Sequence, residues 1–400
     1  MVPIDPLTTE ELLAPVSPEE FFQNYWETRH LVISRNNPDF YRSVLEFDEL
    51  DRHFQSTQLP AQYLRMVRNA DEIPPSRWAQ FNHFPDGSAL QVVVLEKVLA
   101  LYEQGTTIVL NAAEGRIPSL GEFSEGVVRD WHLDTAQANL YLTPPNAQGF
   151  AAHLDRHCVL ILQIHGEKTW KIYPMGADHP IENKEGKFKH RGPAGALVQE
   201  VVLRPGDLLY LPRGQIHEAC TSDAASLHVT LGLFPKFPFR VLSELGMKAG
   251  ELSGLRQGIV FGPGCEARRE AIGQRMAAFL HAVDGASLPG EALAAMEAKR
   301  PMSRQKRFSD VVQAPRITAD TVVSRRQEVE VSWKRQETGL DVKVLGKSLT
   351  APLVAEKAFG WMNRKEPFVV RELPALLLPH RKATLVAELV KAGLLRIERI

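Results

Sequence analysis

The stretch GFAAHLDRHCVLILQIHGEKTWKIYP, residues 149–174, decides the fold. It contains two short runs, CVLILQI (158–164) and TWKIYP (169–174), rich in β-branched and aromatic residues and parted by His165-Gly166. That is the pattern of two strands joined by a tight turn. Working outward, the same kind of segment recurs. ANLYLT (138–143) precedes it, and LVQEVVL (197–203), DLLYLP (207–212), IHEAC (216–220) and ASLHVTLGLF (225–234) follow, with turn signals at Pro205-Gly206-Asp207 and Pro212-Arg213-Gly214. Seven such segments within roughly 100 residues predict a sandwich or barrel rather than βαβ units.

The same stretch carries the chemistry. His153 and Asp155 are two apart, so on extended backbone both side chains leave one face and can share a metal ion. His217 lies 62 residues beyond Asp155, at the start of a strand after the Pro-Arg-Gly turn, where a closed sheet can return it beside the first pair. Two imidazoles and one carboxylate on one octahedral face, with three positions open, is the arrangement of non-haem Fe(II) oxygenases. In a chain with 13 histidines an isolated H-x-D is more often a surface or capped histidine than a ligand pair. The context decides: Gly206, Pro212, Gly214 and His217 spell G-x5-P-x-G-x2-H, which resembles the second motif of the cupin superfamily, and Gly149 precedes His153 by four much as in the first.

If the co-substrate is 2-oxoglutarate, its distal carboxylate needs a cation and hydroxyl partners inside the barrel. Lys168, fifteen residues after His153, is placed to supply the charge, although without further context it reads more readily as an exposed hairpin lysine. Tyr141 shares a strand face with Asn139 and Thr143. On the last strand Ser226, His228 and Thr230 alternate with Leu227, Val229 and Leu231, giving one polar face toward either a ligand or solvent.

Composition excludes several classes. Apolar residues make up 44% and charged residues 24% of the 400, which rules out a wholly disordered, collagenous or coiled-coil chain. Net charge is −1, which argues against a whole-chain polyanion binder, yet residues 301–400 hold 19 Lys/Arg against 11 Asp/Glu, so about −9 is followed by +8. Cys158, Cys220 and Cys265 are too few for a disulfide framework, and Cys158 and Cys220 read as buried small apolar residues. With no leader-like or membrane-spanning run, the expectation is a cytoplasmic protein without membrane association.

Around the β-rich core the period is helical. Ser17 to Glu20 spells an S-x-x-E capping box with Pro18 at the first helical position, followed by Phe21, Phe22, Tyr25 and Trp26. Further helices are expected at Phe47–Phe54 and Ala89–Tyr102, and an amphipathic one at residues 265–283. The last 85 or so residues follow a rhythm of helix, helix, glycine and strand, ending in RIERI, which is that of a winged-helix module.

Taken together, these residues resemble the JmjC-type ribosomal oxygenases, the "cupin 4" group of Fe(II)- and 2-oxoglutarate-dependent protein hydroxylases. FFQNYWETRHLVISR (21–35) resembles the N-terminal helix and strand, residues 139–174 the catalytic core, and LYLPRGQIHEACTSDAASLHVTLGL (209–233) the distal ligand and closing strand. The resemblance implies an α+β chain with a double-stranded β-helix (cupin/JmjC jelly-roll) core and flanking helices over 1–237, a helical dimerisation segment over 238–312 and a winged helix over 313–400. It implies iron bound by His153, Asp155 and His217, Lys168 and Tyr141 on the distal carboxylate, and Asn139 and Ser226 lining the co-substrate pocket. Cofactors are then Fe(II), 2-oxoglutarate and O₂, the state a homodimer, and the substrate an Arg or His side chain of a ribosomal protein or other basic polypeptide. An acidic catalytic portion suits a basic polypeptide better than RNA. Two departures stand out: Arg156 and His157 follow the metal aspartate where many members carry an acidic or neutral residue, which bears on substrate, and Lys168 stands where some bacterial members have Arg.

Two other readings compete. One is a hydroxylase of a small metabolite or ribosomally made peptide, with the basic stretch 182–196 bordering the site or simply solvated. The other is a non-catalytic cupin sensor with a DNA-binding winged helix. DNA binding is not expected, because the basic residues of the last hundred are interspersed with Glu328, Glu330, Glu337, Glu366 and Glu372 as on a solvated face. His132, His165, His179, His190 and His380 read as ordinary histidines.

Overall fold

The computed structural model describes residues 7–56, 58–180, 194–237, 243, 246–247, 249–250, 253–256, 264, 266–284, 307–326, 329, 331–344, 347–362, 364, 366–374 and 377–400. Cys265 and most of the stretch 182–196 fall outside them. The chain divides into two compact units, 1–236 and 237–400.

The first unit opens with two short helices. Helix α1 (Thr9–Leu13) carries a reciprocal capping box between Thr8 and Glu11. In α2 (Pro18–Asn24) Ser17 accepts from the Glu20 amide at 3.1 Å, the N-cap half of the expected box. Phe21 of α2 is fully buried, packs edge-on against Tyr210 at 4.9 Å and lies tilted by 34° against Trp131 at 5.3 Å. After β1 (Leu31–Ile33) comes α3 (Phe47–Ser56), as its periodicity predicts.

Strands β2 (Leu64–Arg68), β3 (Asp71–Ile73), β4 (Ala79–His83) and β5 (Ala89–Val93) then lead to α4 (Leu95–Glu103). The helix expected over Ala89–Tyr102 is therefore half strand. Its first five residues pair with β4 in a hairpin, Ala79 opposite Val93, and turn Val92 inward while Ala89 stays in water. Strand β6 (Thr107–Leu110) and α5 (Pro118–Asp130) precede the core. Gly121 of α5 lies where a β-carbon would come within 2.7 Å of the Glu114 carbonyl, so the close approach requires glycine.

All seven expected core strands are present: β7 (Thr135–Thr143), β8 (Cys158–Gly166), β9 (Lys168–Met175), β10 (Gln199–Leu203), β11 (Leu208–Leu211), β12 (Gln215–Cys220) and β13 (Ser226–Phe234). They form an eight-stranded sheet, order β1-β11-β8-β13-β7-β6-β2-β3, and a three-stranded one, order β10-β9-β12. Every pairing is antiparallel. The run CVLILQI is unbrokenly apolar from Cys158 to Leu162 because both its faces are covered there. Cys158, Leu160 and Leu162 join the core under the N-terminal helices, while Val159 and Ile161 pack with Trp170, Ile172 and Leu203 of the smaller sheet.

In the second unit, helix α6 (Glu266–Asp284) matches the expected helix of the middle segment. Along it Ile272 is buried, while Met276 and Leu280 are 51% and 64% exposed among the described residues. Helix α7 (Arg307–Gln313) runs across position 312 and is tied to the C-terminal core: Asp310, 1% exposed, accepts from Arg326 at 2.7 Å and from the Ile397 amide at 3.0 Å. Strand β14 (Val322–Arg325) is followed by a meander of β15 (Val331–Gln336), β16 (Gly339–Val344) and β17 (Lys347–Ala351). Helix α8 (Glu356–Trp361), β18 (Phe368–Val369), α9 (Pro379–Ala392) and β19 (Leu395–Arg399) complete it, with β14 between β18 and β19. Gly393 caps α9 in the left-handed conformation, φ 96°, which a side chain would strain.

Candidate active site

The three residues expected to hold a metal meet between the two sheets of the first unit. His153 and Asp155 lie on the segment entering β8 and His217 on β12, and one ligand atom from each falls within 4.8 Å of the others. His153 and His217 form a single antiparallel bridge, His153 N donating to His217 O at 3.0 Å and His217 N to His153 O at 2.8 Å. Gly214 N donates to Asp155 O at 2.8 Å, so the P-R-G turn ties the two halves of the site together. At Gly214, φ is +88° and a β-carbon would come within 2.2 Å of the Ala177 carbonyl. Gly214→Ala should therefore cost about 1–3 kcal/mol or more of stability. An unchanged urea midpoint in equilibrium unfolding would contradict this.

Side-chain orientation suits ligation. The Nδ1 atoms of His153 and His217 face the carbonyls of Ala151 and Gln215 at 2.9 and 3.0 Å and must donate to them, which leaves both Nε2 atoms unprotonated toward the site. Burial, then the neighbouring His153, pushes His217 down to about 4 against the pull of Asp155. Burial works to raise Asp155, but His217, His153, His157 and Arg156 outweigh it and hold the carboxyl below its usual range. At neutral pH His217 is thus a neutral imidazole and Asp155 a carboxylate, the forms that metal binding requires of them.

Beside the cluster is a cavity of about 190 Å³. Lys168 and Tyr141 line it, as expected, together with His228, Trp170 and the apolar Val159 and Ile161. Lys168 is 4% exposed, not a solvated hairpin lysine, and its Nζ donates to Thr143 Oγ1 at 2.9 Å. Among the described residues no carboxylate pairs with it, and burial pushes its pKa down to about 7. A buried amine in that condition is suited to an incoming carboxylate. Tyr141 is raised by burial and by Asp155, so its phenol remains a donor.

Asn139 and Ser226, expected in the pocket wall, are not among the residues lining the cavity. Asn139 hydrogen-bonds Tyr141 and accepts from the Ala112 amide at 3.1 Å, and Ser226, fully buried, accepts from Gln163 at 2.9 Å. Arg156 and His157 do not line it either. The His157 ring stacks on Phe234 at 4.7 Å and lies over Gly232, where any β-carbon would strike it. Sequence reasoning missed Arg65, Thr107 and Phe150. Arg65 pairs with Glu72 at 3.1 Å and sits over the Phe150 ring, and that ring is 5.8 Å from the ring of His153.

Residues 123–238 match the JmjC domain. Over 236 residues the chain is 34% identical to the bifunctional lysine-specific demethylase and histidyl-hydroxylase NO66 of Aedes aegypti, covering 58% of this chain and 36% of that protein. Over 234 residues it is 33% identical to ribosomal oxygenase 1 of Gallus gallus, covering 56% and 36%. The chain thus spans roughly a third of the length of these relatives. Among solved structures, the Escherichia coli ribosomal oxygenase YcfD in complex with cobalt and 2-oxoglutarate superposes with a TM-score of 0.55 at 16% identity, over 95% of this chain and 98% of that one. At that identity the likeness is one of fold.

Proposed function

We propose that the chain is an Fe(II)- and 2-oxoglutarate-dependent dioxygenase that hydroxylates an Arg or His side chain of a ribosomal protein. The observation that carries this is the His153, Asp155 and His217 cluster set beside a buried lysine that has no acidic partner among the described residues. His153, Asp155 and His217 would hold the iron, and Lys168 and Tyr141 the distal carboxylate of the co-substrate. Bound iron and 2-oxoglutarate would supply oxygen activation, with succinate and CO₂ as the co-products.

The chain's own groups position and exclude. The Ala151 and Gln215 carbonyls fix both imidazoles through Nδ1. Thr143 aims the Lys168 ammonium, and Val159, Ile161 and Trp170 keep the inner end of the cavity poor in water. Phe150 and Arg65 stand at the cavity wall beside His153, where a substrate side chain would approach.

Support for the substrate class comes from the names of the relatives, ribosomal oxygenase and histidyl-hydroxylase. The remaining assignments follow the same likeness: a homodimer through the 238–312 segment, a winged helix over 313–400 that does not bind DNA, and a cytoplasmic location. Among the described residues no helix is long and apolar enough to cross a membrane. Mass spectrometry of purified ribosomal proteins treated with the iron-loaded protein and 2-oxoglutarate should show a one-oxygen gain on one of them. Turnover of 2-oxoglutarate with no gain on any ribosomal protein would favour a small molecule or peptide substrate instead.

A further inference from the structure

His228 lies on β13 directly opposite Tyr141 of β7, in the wall of the cavity. Its ring stacks on the Tyr141 ring at 4.8 Å with 3° between planes and meets Trp170 edge-on at 5.4 Å. The residue is 2% exposed, and its Nδ1 is buried with no hydrogen-bond partner among the described residues. Trp170, in the same wall, has a buried Nε1 in the same condition. Leaving a buried imidazole nitrogen without a partner costs about 1–3 kcal/mol, and a purely structural aromatic residue at this position would avoid it.

Position and charge indicate what the nitrogen serves. Burial and the adjacent Lys168 hold His228 well below the ordinary histidine range, so the ring is neutral and one nitrogen carries a proton to donate. Its neighbours Lys168 and Tyr141 are the two groups read above as binding the distal carboxylate. We propose that His228 is a third donor to that carboxylate, its imidazole N–H completing a lysine, phenol and imidazole cradle that selects a five-carbon 2-oxo diacid over a 2-oxo acid with no distal charge. This rests on the co-substrate reading given above. Stacking on Tyr141 holds the ring in one orientation, so little rotamer freedom is lost on binding.

Two substitutions separate the nitrogen from the ring. His228→Phe keeps the stack on Tyr141 and removes both nitrogens, whereas His228→Asn places an amide N–H close to the position of Nδ1. Dissociation constants for 2-oxoglutarate and for pyruvate are measured by calorimetry without oxygen on the full chain loaded with Mn(II), with thermal melts run in parallel. His228→Phe should weaken 2-oxoglutarate by roughly tenfold to a hundredfold, the value of a hydrogen bond to a charged group. Pyruvate and Mn(II) binding should stay as in wild type, and His228→Asn should recover most of the loss. Unchanged 2-oxoglutarate binding in His228→Phe, or an equal loss for both acids, would overturn the assignment while leaving the co-substrate reading intact. If His228→Phe does not fold, His228→Asn decides alone: 2-oxoglutarate within about threefold of wild type supports the donor role, and a hundredfold loss overturns it. Failure of the wild-type protein to bind 2-oxoglutarate at all would overturn both.

Discussion

Asp155→Ala is expected to abolish metal binding and lower metal-dependent 2-oxoglutarate turnover by on the order of a thousandfold or more, while leaving the metal-free protein folded. The carboxylate is the one anionic member of the cluster, and its removal leaves two neutral imidazoles as ligands. In wild type, a metal at a hundredfold excess over its Kd adds about 2.7 kcal/mol of stability. The metal-induced rise in melting temperature should therefore vanish in Asp155→Ala, with the metal-free melt nearly unchanged. A variant still stabilised by Mn(II) or Co(II) to the wild-type extent would place the metal elsewhere.

Lys168→Ala should raise the KM for 2-oxoglutarate by about a hundredfold, with a smaller effect on kcat, because the distal carboxylate would lose its cation rather than the reacting end its ligands. A pH signature accompanies this. Burial depresses Lys168 to about 7, Cys220 pulls weakly the other way, and the neutral His228 faces it. Pairing with a carboxylate restores a higher pKa, so binding above pH 7 takes up a proton. Affinity for 2-oxoglutarate should be greatest below about pH 7 and fall as pH rises through that value. Calorimetry in buffers of different ionisation heat measures the uptake directly, and Lys168→Ala should show none. If the variant kept the wild-type pH slope, another group would be the one that titrates.

The core strands were legible because their chemistry is local. Most are short β-branched or aromatic runs bounded by glycine or proline, and the strand covered on both faces announces itself by an unbroken apolar stretch from Cys158 to Leu162. Ala89–Tyr102 was misread because Val94 joins strand to helix without a glycine or proline to mark the change, and the apolar spacing of both fits a helix. Helix α5 escaped notice because Ser119, Gly121, Ser124 and Gly126 dilute its pattern, although Gly121 is present for a close backbone approach.

The metal cluster was readable from the His153 and Asp155 spacing only together with the Gly206, Pro212, Gly214 and His217 motif, and Lys168 only once a carboxylate-bearing co-substrate was supposed. The pocket positions of Asn139 and Ser226 were not, since alternation fixes which face a side chain leaves but not how deep it stops. Arg65 and Thr107 belong to strands that carry no motif and become neighbours of the site only through pairings such as Met66 with Ile108, whereas Phe150 lies within the metal-bearing stretch but carries no donor to single it out. The middle helix lies close to its predicted span, but periodicity reports what a face could cover and not what lies against it, so its exposed Met276 and Leu280 were not legible in the sequence.

The paired main-chain bonds between His153 and His217 involve no side-chain atom. The scaffold of the cluster is therefore indifferent to which side chains it displays. Replacing either histidine with glutamine or alanine would silence the centre and leave the backbone zipped, so an inert twin of the protein should be obtainable with the same architecture. Such a twin would retain whatever partners recognise its surface. If the proposed substrate class is right, it could then be used to trap the polypeptide.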